Sequence, residues 1–134
     1  MNEPPGGANV TKEIAIGKIA WVDLTVPDAE GVRDFYAQVV GWNPSPVAMG
    51  SYEDFNMNSP TGGTPCAGIC HARGTNADLP AQWLVYIVVK DITAAISRCS
   101  ELGGSLIAGP KRMGESHYCV IRDPAGAVCA LYQP

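Results

Sequence analysis

Two hydrophobic periods take turns along this chain. From Lys18 to Val26 the sequence Lys-Ile-Ala-Trp-Val-Asp-Leu-Thr-Val alternates with period two. Ala20, Val22, Leu24 and Val26 make one apolar face, and Ile19, Trp21, Asp23 and Thr25 make a mixed one, as in a strand. Pro27 breaks that strand and Asp28 can cap a helix. Val32, Phe35, Tyr36, Val39 and Val40 then recur at helical spacing, one stripe of an amphipathic helix that Gly41 stops. The pair Phe35-Tyr36 reads as helix-face core. Pro44, Pro46 and Gly50 punctuate the next stretch of chain. Short strands are expected near Val47–Met49, Tyr52–Asn58 and Cys66–His71, with a turn at Ser59-Pro60-Thr61-Gly62-Gly63.

After a linker from Arg73 to Pro80 the pattern restarts. Gln82 to Lys90 alternates, with Trp83, Val85, Ile87 and Val89 on one face and Gln82, Leu84, Tyr86 and Val88 on the other. Asp91 stands where Asp28 stood. A helix with Ile92, Ala95, Ile96 and Cys99 on one side comes next, ended by Gly103-Gly104. Strands are expected near Ser105–Ile107, His117–Arg122 and Val128–Tyr132. The turn Asp123-Pro124-Ala125-Gly126 echoes Ser59-Pro60-Thr61-Gly62. From Asp28 to Gly41 is 13 positions and from Asp91 to Gly103 is 12. The same landmarks in the same order imply an internal repeat of about 60 residues. Each half reads strand, helix, then three strands.

Composition narrows the function classes. A chain of 134 residues is one domain or two half-size repeats. The net charge of -4 and the scattered Lys and Arg residues exclude a basic footprint for nucleic acid. No apolar run approaches the roughly 20 residues that cross a bilayer, so no membrane partner is expected. Met1-Asn2-Glu3-Pro4-Pro5 has neither the basic nor the apolar segment of a secretory signal. With five cysteines, an odd number, reduced thiols and a cytoplasmic location are the expectation. Residues 1–17, which open on Pro, Gly and Asn, read as a flexible tail.

Ile19-Ala20-Trp21-Val22-Asp23-Leu24, Pro27-Asp28, Phe35-Tyr36 and Gly41-Trp42 resemble the opening of vicinal oxygen chelate proteins. Leu102-Gly103-Gly104, Asp123-Pro124-Ala125-Gly126-Ala127 and Leu131-Tyr132-Gln133-Pro134 resemble their close. This superfamily includes glyoxalase I, bleomycin- and fosfomycin-resistance proteins and extradiol dioxygenases. The resemblance runs from about Gly17 to Pro134 and points to the small, single-chain, glyoxalase-like branch. It implies an α+β fold of two βαβββ modules, with a curved sheet around a cleft and helices outside. The modules would span about 18–72 and 82–134, within one domain at 18–134, with a linker at about 73–81. By strand parity, Trp21, Asp23, Leu84, Tyr86, Tyr118, Val120, Ala130 and Tyr132 would then line the cleft. Trp83 would face the helices, and Trp42 would lie just beyond the first helix.

Enzymes of this superfamily usually hold a divalent metal with His, Gln or Glu. Carried over by spacing from Asp28, Asp91 and the terminal Asp-Pro-x-Gly turn, the ligand positions fall on Trp21, Leu84 and Ala130, with a fourth near Gly68. Indole, isobutyl and methyl groups offer no donor for a metal. Neither a metal nor another cofactor is therefore expected. Cys66-x-x-x-Cys70-His71 fits no zinc spacing. By parity His117 points away from the cleft, and Cys119 and Cys129 are packing residues.

What remains is an aromatic set, Trp21, Tyr86, Tyr118 and Tyr132, with one carboxylate, Asp23. Aromatic rings stack flat or cationic ligands, and a half-buried carboxylate anchors cations or acts as a general base. Three functions compete. The first is metal-independent binding of a small aromatic or cationic molecule. The second is a lyase or isomerase using Asp23 as a catalytic residue with a tyrosine, or an atypical metal site. The third is an interaction domain whose cleft is filled by its own side chains. The expected partners are a small-molecule ligand and a second copy in a homodimer.

Overall fold

The computed structural model describes residues 16–134. The expected tail, up to residue 15, lies outside the described residues. The elements run β1 (Ile19–Val26), α1 (Ala29–Val40), β2 (Asn43–Ala48), β3 (Glu53–Asn58), β4 (Pro65–His71), β5 (Trp83–Val88), α2 (Ile92–Glu101), β6 (Ser105–Met113), β7 (Ser116–Arg122) and β8 (Val128–Gln133). This is βαβββ twice, an α+β chain. A single 3-10 turn at Gly74–Asn76 lies in the expected linker.

The chain forms two compact units. Residues 22–83 make the first, and residues 16–21 join 84–134 in the second. In the first, the strands lie in the order β2-β3-β4-β1, with β4 parallel to β1. In the second, the order is β5-β8-β7-β6, with β8 parallel to β5. The start of β1 belongs to the second unit through two bonds: Gly17 N–H donates to the Val88 carbonyl at 2.8 Å, and Val88 N–H to the Lys18 carbonyl at 2.9 Å.

The two helices start in the same way. Asp28 Oδ1 accepts the Gly31 N–H at 3.0 Å, and Asp91 Oδ1 accepts the Ala94 N–H at 3.1 Å. Each side chain satisfies one of the amides that a helix leaves unpaired in its first turn. Gly41 ends α1 in the left-handed region, φ 79°, where a side chain would be strained. Under α1 lies a core of Leu24, Val26, Ala29, Phe55, Met57 and Ile69, with Val32, Tyr36, Trp42 and Trp83 packed on it. Under α2 the core is Ile92, Cys119 and Leu131, with Ile87, Val89, Ala95, Ile96 and Ile121. Trp83 is thus on the helix-packed side, as strand parity implies, and Trp42 packs there from just beyond α1.

Phe35 departs from the expected core: it is 57% exposed. Consecutive helix residues project about 100° apart, and Tyr36 is the one that faces the core. Phe35 only touches the edge of that ring, at 5.1 Å between centroids. Val39 and Val40, in the last turn, are also exposed, at 62% and 49%.

Two strands are longer than the pattern suggested. β2 takes in both prolines, which an outermost strand tolerates because it need not donate on its free side. Asn58 holds it in place, its Nδ2 donating to the Asn43 carbonyl at 2.9 Å and to Ser45 Oγ at 3.0 Å. β6 continues to Met113 through register shifts around Ala108. Gly109, with φ 86°, sits at that irregularity, where a Cβ would meet the Tyr118 carbonyl oxygen at 2.9 Å.

Candidate functional site

Strand alternation in the second unit puts α2 on one sheet face and the expected site residues on the other. Ile87, Cys119, Ile121 and Leu131 pack under α2. Leu84 and Tyr86 of β5, Tyr118 and Val120 of β7, and Ala130 and Tyr132 of β8 have the opposite parity. Register brings them together. Tyr86 pairs with Ala130, Val120 pairs with Ala130, and Tyr118 pairs with Tyr132. The Tyr86 and Tyr118 rings lie 6.4 Å apart and tilted. Ser116 Oγ and Tyr132 Oη share a buried hydrogen bond of 3.0 Å. Trp21, at the start of β1, belongs to the same unit.

Burial of this set is complete: Trp21, Leu84, Tyr86, Tyr118, Val120, Ala130 and Tyr132 are at most 3% exposed. Asp23 lies two residues beyond Trp21 on the same strand face, inside the first unit, and is 0% exposed. Its register partner on β4 is Gly68, which brings no side chain against it. The next residue on that face, Thr25, has a buried hydroxyl without a hydrogen-bond partner.

A metal does not fit these residues. Trp21, Leu84, Ala130 and Gly68, where the resemblance places the ligands, carry no N, O or S donor able to bind one. Among the described residues no three His, Cys, Asp or Glu side chains come together as a metal-holding group.

Cys119 and Cys129 behave as packing residues. Cys119 is fully buried in the α2 core, and burial pushes its pKa up to about 11. Burial also raises Cys129. Both shifts disfavour the thiolate that nucleophilic chemistry needs.

Sequence reasoning missed one polar cluster. His71 is largely buried and sits between two carboxylates. Its Nδ1–H donates to Asp54 Oδ1 at 3.2 Å, and its Nε2 lies 3.5 Å from Glu30 Oε1. The same Asp54 oxygen accepts the His71 backbone N–H at 2.9 Å, and Asp54 is itself 0% exposed. The signal was present in the sequence. In Glu53-Asp54-Phe55-Asn56-Met57-Asn58 the apolar residues Phe55 and Met57 fix one face, leaving Asp54 on the other.

Comparison with known proteins gives a consistent answer. The family model described as Glyoxalase/Bleomycin resistance protein/Dioxygenase superfamily matches residues 18–131. The chain is 30% identical over 135 aligned positions to the anthracycline biosynthesis protein DnrV of Streptomyces peucetius, across 89% of this chain and 48% of that protein. It therefore spans about half the length of this curated relative. Among solved structures, a superfamily member from Vibrio splendidus aligns with TM-score 0.56 at 14% identity, covering 85% of this chain and 97% of that one. Methylmalonyl-CoA epimerase of Streptomyces coelicolor aligns with TM-score 0.55 at 12% identity, covering 88% and 94%. At such identities the structural likeness speaks for the fold. With the repeated βαβββ order and the match over residues 18–131, the chain belongs to the Glyoxalase/Bleomycin resistance protein/Dioxygenase superfamily.

Proposed function

We propose that this protein binds a small aromatic or cationic molecule without a metal, on the sheet face that carries Trp21, Tyr86, Tyr118 and Tyr132, with Asp23 next along β1. The observation that carries this reading is the residue set itself. Where the superfamily's enzymes carry ligating side chains, this chain has an indole, an isobutyl group and a methyl group. A stacking surface and a carboxylate recognise flat cations, and a ring facing a cation contributes roughly 0.5–2 kcal/mol. The relationship to DnrV supports an aromatic ligand, since anthracyclines are flat aromatic compounds. Because the face is at most 3% exposed, a ligand reaches it only after the protein opens. Association should therefore fall below the usual 10⁵–10⁷ M⁻¹s⁻¹ range, about where gated sites lie.

A second reading, a lyase or isomerase, rests on the complete burial of the Asp23 carboxylate, the environment in which a carboxylate becomes a general base. Incubation with a panel of aromatic and cationic compounds, followed by mass spectrometry of the recovered compounds, separates the readings. Recovery of a bound compound unchanged supports binding. Conversion replaces binding by catalysis. Failure to retain any compound overturns both, leaving an interaction domain packed by its own side chains.

The same proposal has the protein working as a homodimer. Phe35, Val39 and Val40 support it, three large apolar side chains left exposed in the last two turns of α1.

A further inference from the structure

The two modules treat one place differently, the N-terminal end of the helix beside the end of the last strand. The caps align Asp28 with Asp91 and hence Glu30 with Thr93. The strand pairing aligns His71 with Gln133: Val26 pairs with His71, and Val88 with Tyr132, one residue earlier in each strand. In the first module an imidazole and a carboxylate meet there, His71 Nε2 lying 3.5 Å from Glu30 Oε1. In the second module Gln133 replaces the histidine and spends its Oε1 on the Ile92 N–H at 2.8 Å. The imidazole comes instead from His117, the cross-strand neighbour of Gln133. No carboxylate faces it from the Glu30 position, because that position is Thr93.

A cavity of about 380 Å³ lies in its stead, lined by Lys90, Asp91, Ile92, Thr93, Pro110, His117 and Gln133. Asp91 Oδ1 accepts the Ala94 N–H and Gln133 Oε1 accepts the Ile92 N–H, so each gives one oxygen to the start of α2. His117 Nδ1 is buried without a hydrogen-bond partner. Lys90, which stands where the first module has Pro27, brings an ammonium group to the rim, and Thr93 adds a hydroxyl. An ammonium, a hydroxyl and an imidazole, at the place where the first module sets a carboxylate, can hold an anion between them.

We infer that this cavity is a binding site for a small anion with a carboxylate or phosphate group, held by Lys90, Thr93 and His117. The anion takes the place that the Glu30 carboxylate fills in the first module. The site lies on the helix side of the sheet, since His117 has the parity opposite to Tyr118. It is therefore separate from the aromatic face, and the inference stands or falls independently of the proposed function.

The test monitors the imidazole signals by NMR. The chain has two histidines, so His71→Gln assigns both. Sodium acetate and sodium phosphate are titrated against chloride at constant ionic strength. The expected result is a saturable shift at His117 and none at His71. Response to acetate alone assigns a carboxylate ligand, and response to phosphate alone assigns a phosphate. Thr93→Glu supplies the chain's own carboxylate, as in the first module, and should weaken binding of either anion at least about tenfold, as should Lys90→Ala. Absence of a saturable His117 shift with either anion overturns the site, as does a Thr93→Glu protein that binds like the parent.

Discussion

Removing the Asp54 carboxylate should cost the fold more than any surface change of equal size. Asp54 is 0% exposed and one of its oxygens accepts two hydrogen bonds, from the His71 backbone N–H at 2.9 Å and from His71 Nδ1 at 3.2 Å. In Asp54→Ala both donors lose their acceptor. A hydrogen bond to a charged group contributes roughly 1.5–3 kcal/mol, and a stranded buried donor costs about 1–3 kcal/mol. The two figures overlap, and relief of the buried charge offsets part of the loss. The expected destabilisation is therefore about 2–4 kcal/mol. For a chain of this length that lowers Tm by roughly 10 °C. Asp54→Asn keeps an oxygen for the backbone N–H and should lose only about half as much. His71→Ala keeps the backbone bond as well and should also fall between. Urea unfolding followed by circular dichroism gives the three values, and a double-mutant cycle gives the coupling. If Asp54→Ala unfolds within about 0.5 kcal/mol of the parent, the pair carries no stability and the reasoning is refuted.

Other outcomes rest on the same structure. Cys119 has a folded pKa of about 11 against an ordinary value of 9.0. The folded state then holds its proton where the unfolded state has lost it, so stability should fall between about pH 9 and pH 11, by up to about 3 kcal/mol from this group; flat stability across that window in urea titrations would contradict it. Asp28→Ala and Asp91→Ala should each cost about 1 kcal/mol in the same unfolding assay, because each side chain caps its helix in the same way. Val39→Glu should shift light scattering from dimer to monomer without lowering Tm much, and a parent that is already monomeric would sink the dimer proposal.

The repeat was legible because its landmarks are local. Asp28 and Asp91 each cap a helix, Gly41 stops one, and parity alone sorts Trp83 to the helix side and Tyr86 to the other. Three features were less legible, each for its own reason. The expectation for Phe35 comes from counting apolar residues without asking which neighbour takes the core, since Tyr36 and Phe35 cannot both face it. Prolines argue against strands, so the pattern shows β2 only near Val47, and its place at the edge is what removes that objection. The Asp54–His71 pair joins residues 17 positions apart, so it depends on the β3–β4 register, which periodicity does not specify. The expected site residues Leu84, Tyr86, Tyr118, Val120, Ala130 and Tyr132 do share a face. Their near-total burial was not readable, because periodicity says which way a side chain points and not what covers it.

The central claim is a metal-independent aromatic site on the Trp21 face. Its most direct test is a fluorescence titration with proflavine, a flat aromatic cation, in the presence of excess chelator. The account predicts saturable quenching that the chelator leaves unchanged. Trp21→Phe should remove most of the signal change, and Asp23→Asn should weaken proflavine binding by roughly 10- to 150-fold, the loss of a charge-assisted contact of about 1.5–3 kcal/mol, with little effect on a neutral aromatic. Quenching that chelator abolishes, or binding that both variants leave untouched, would contradict it.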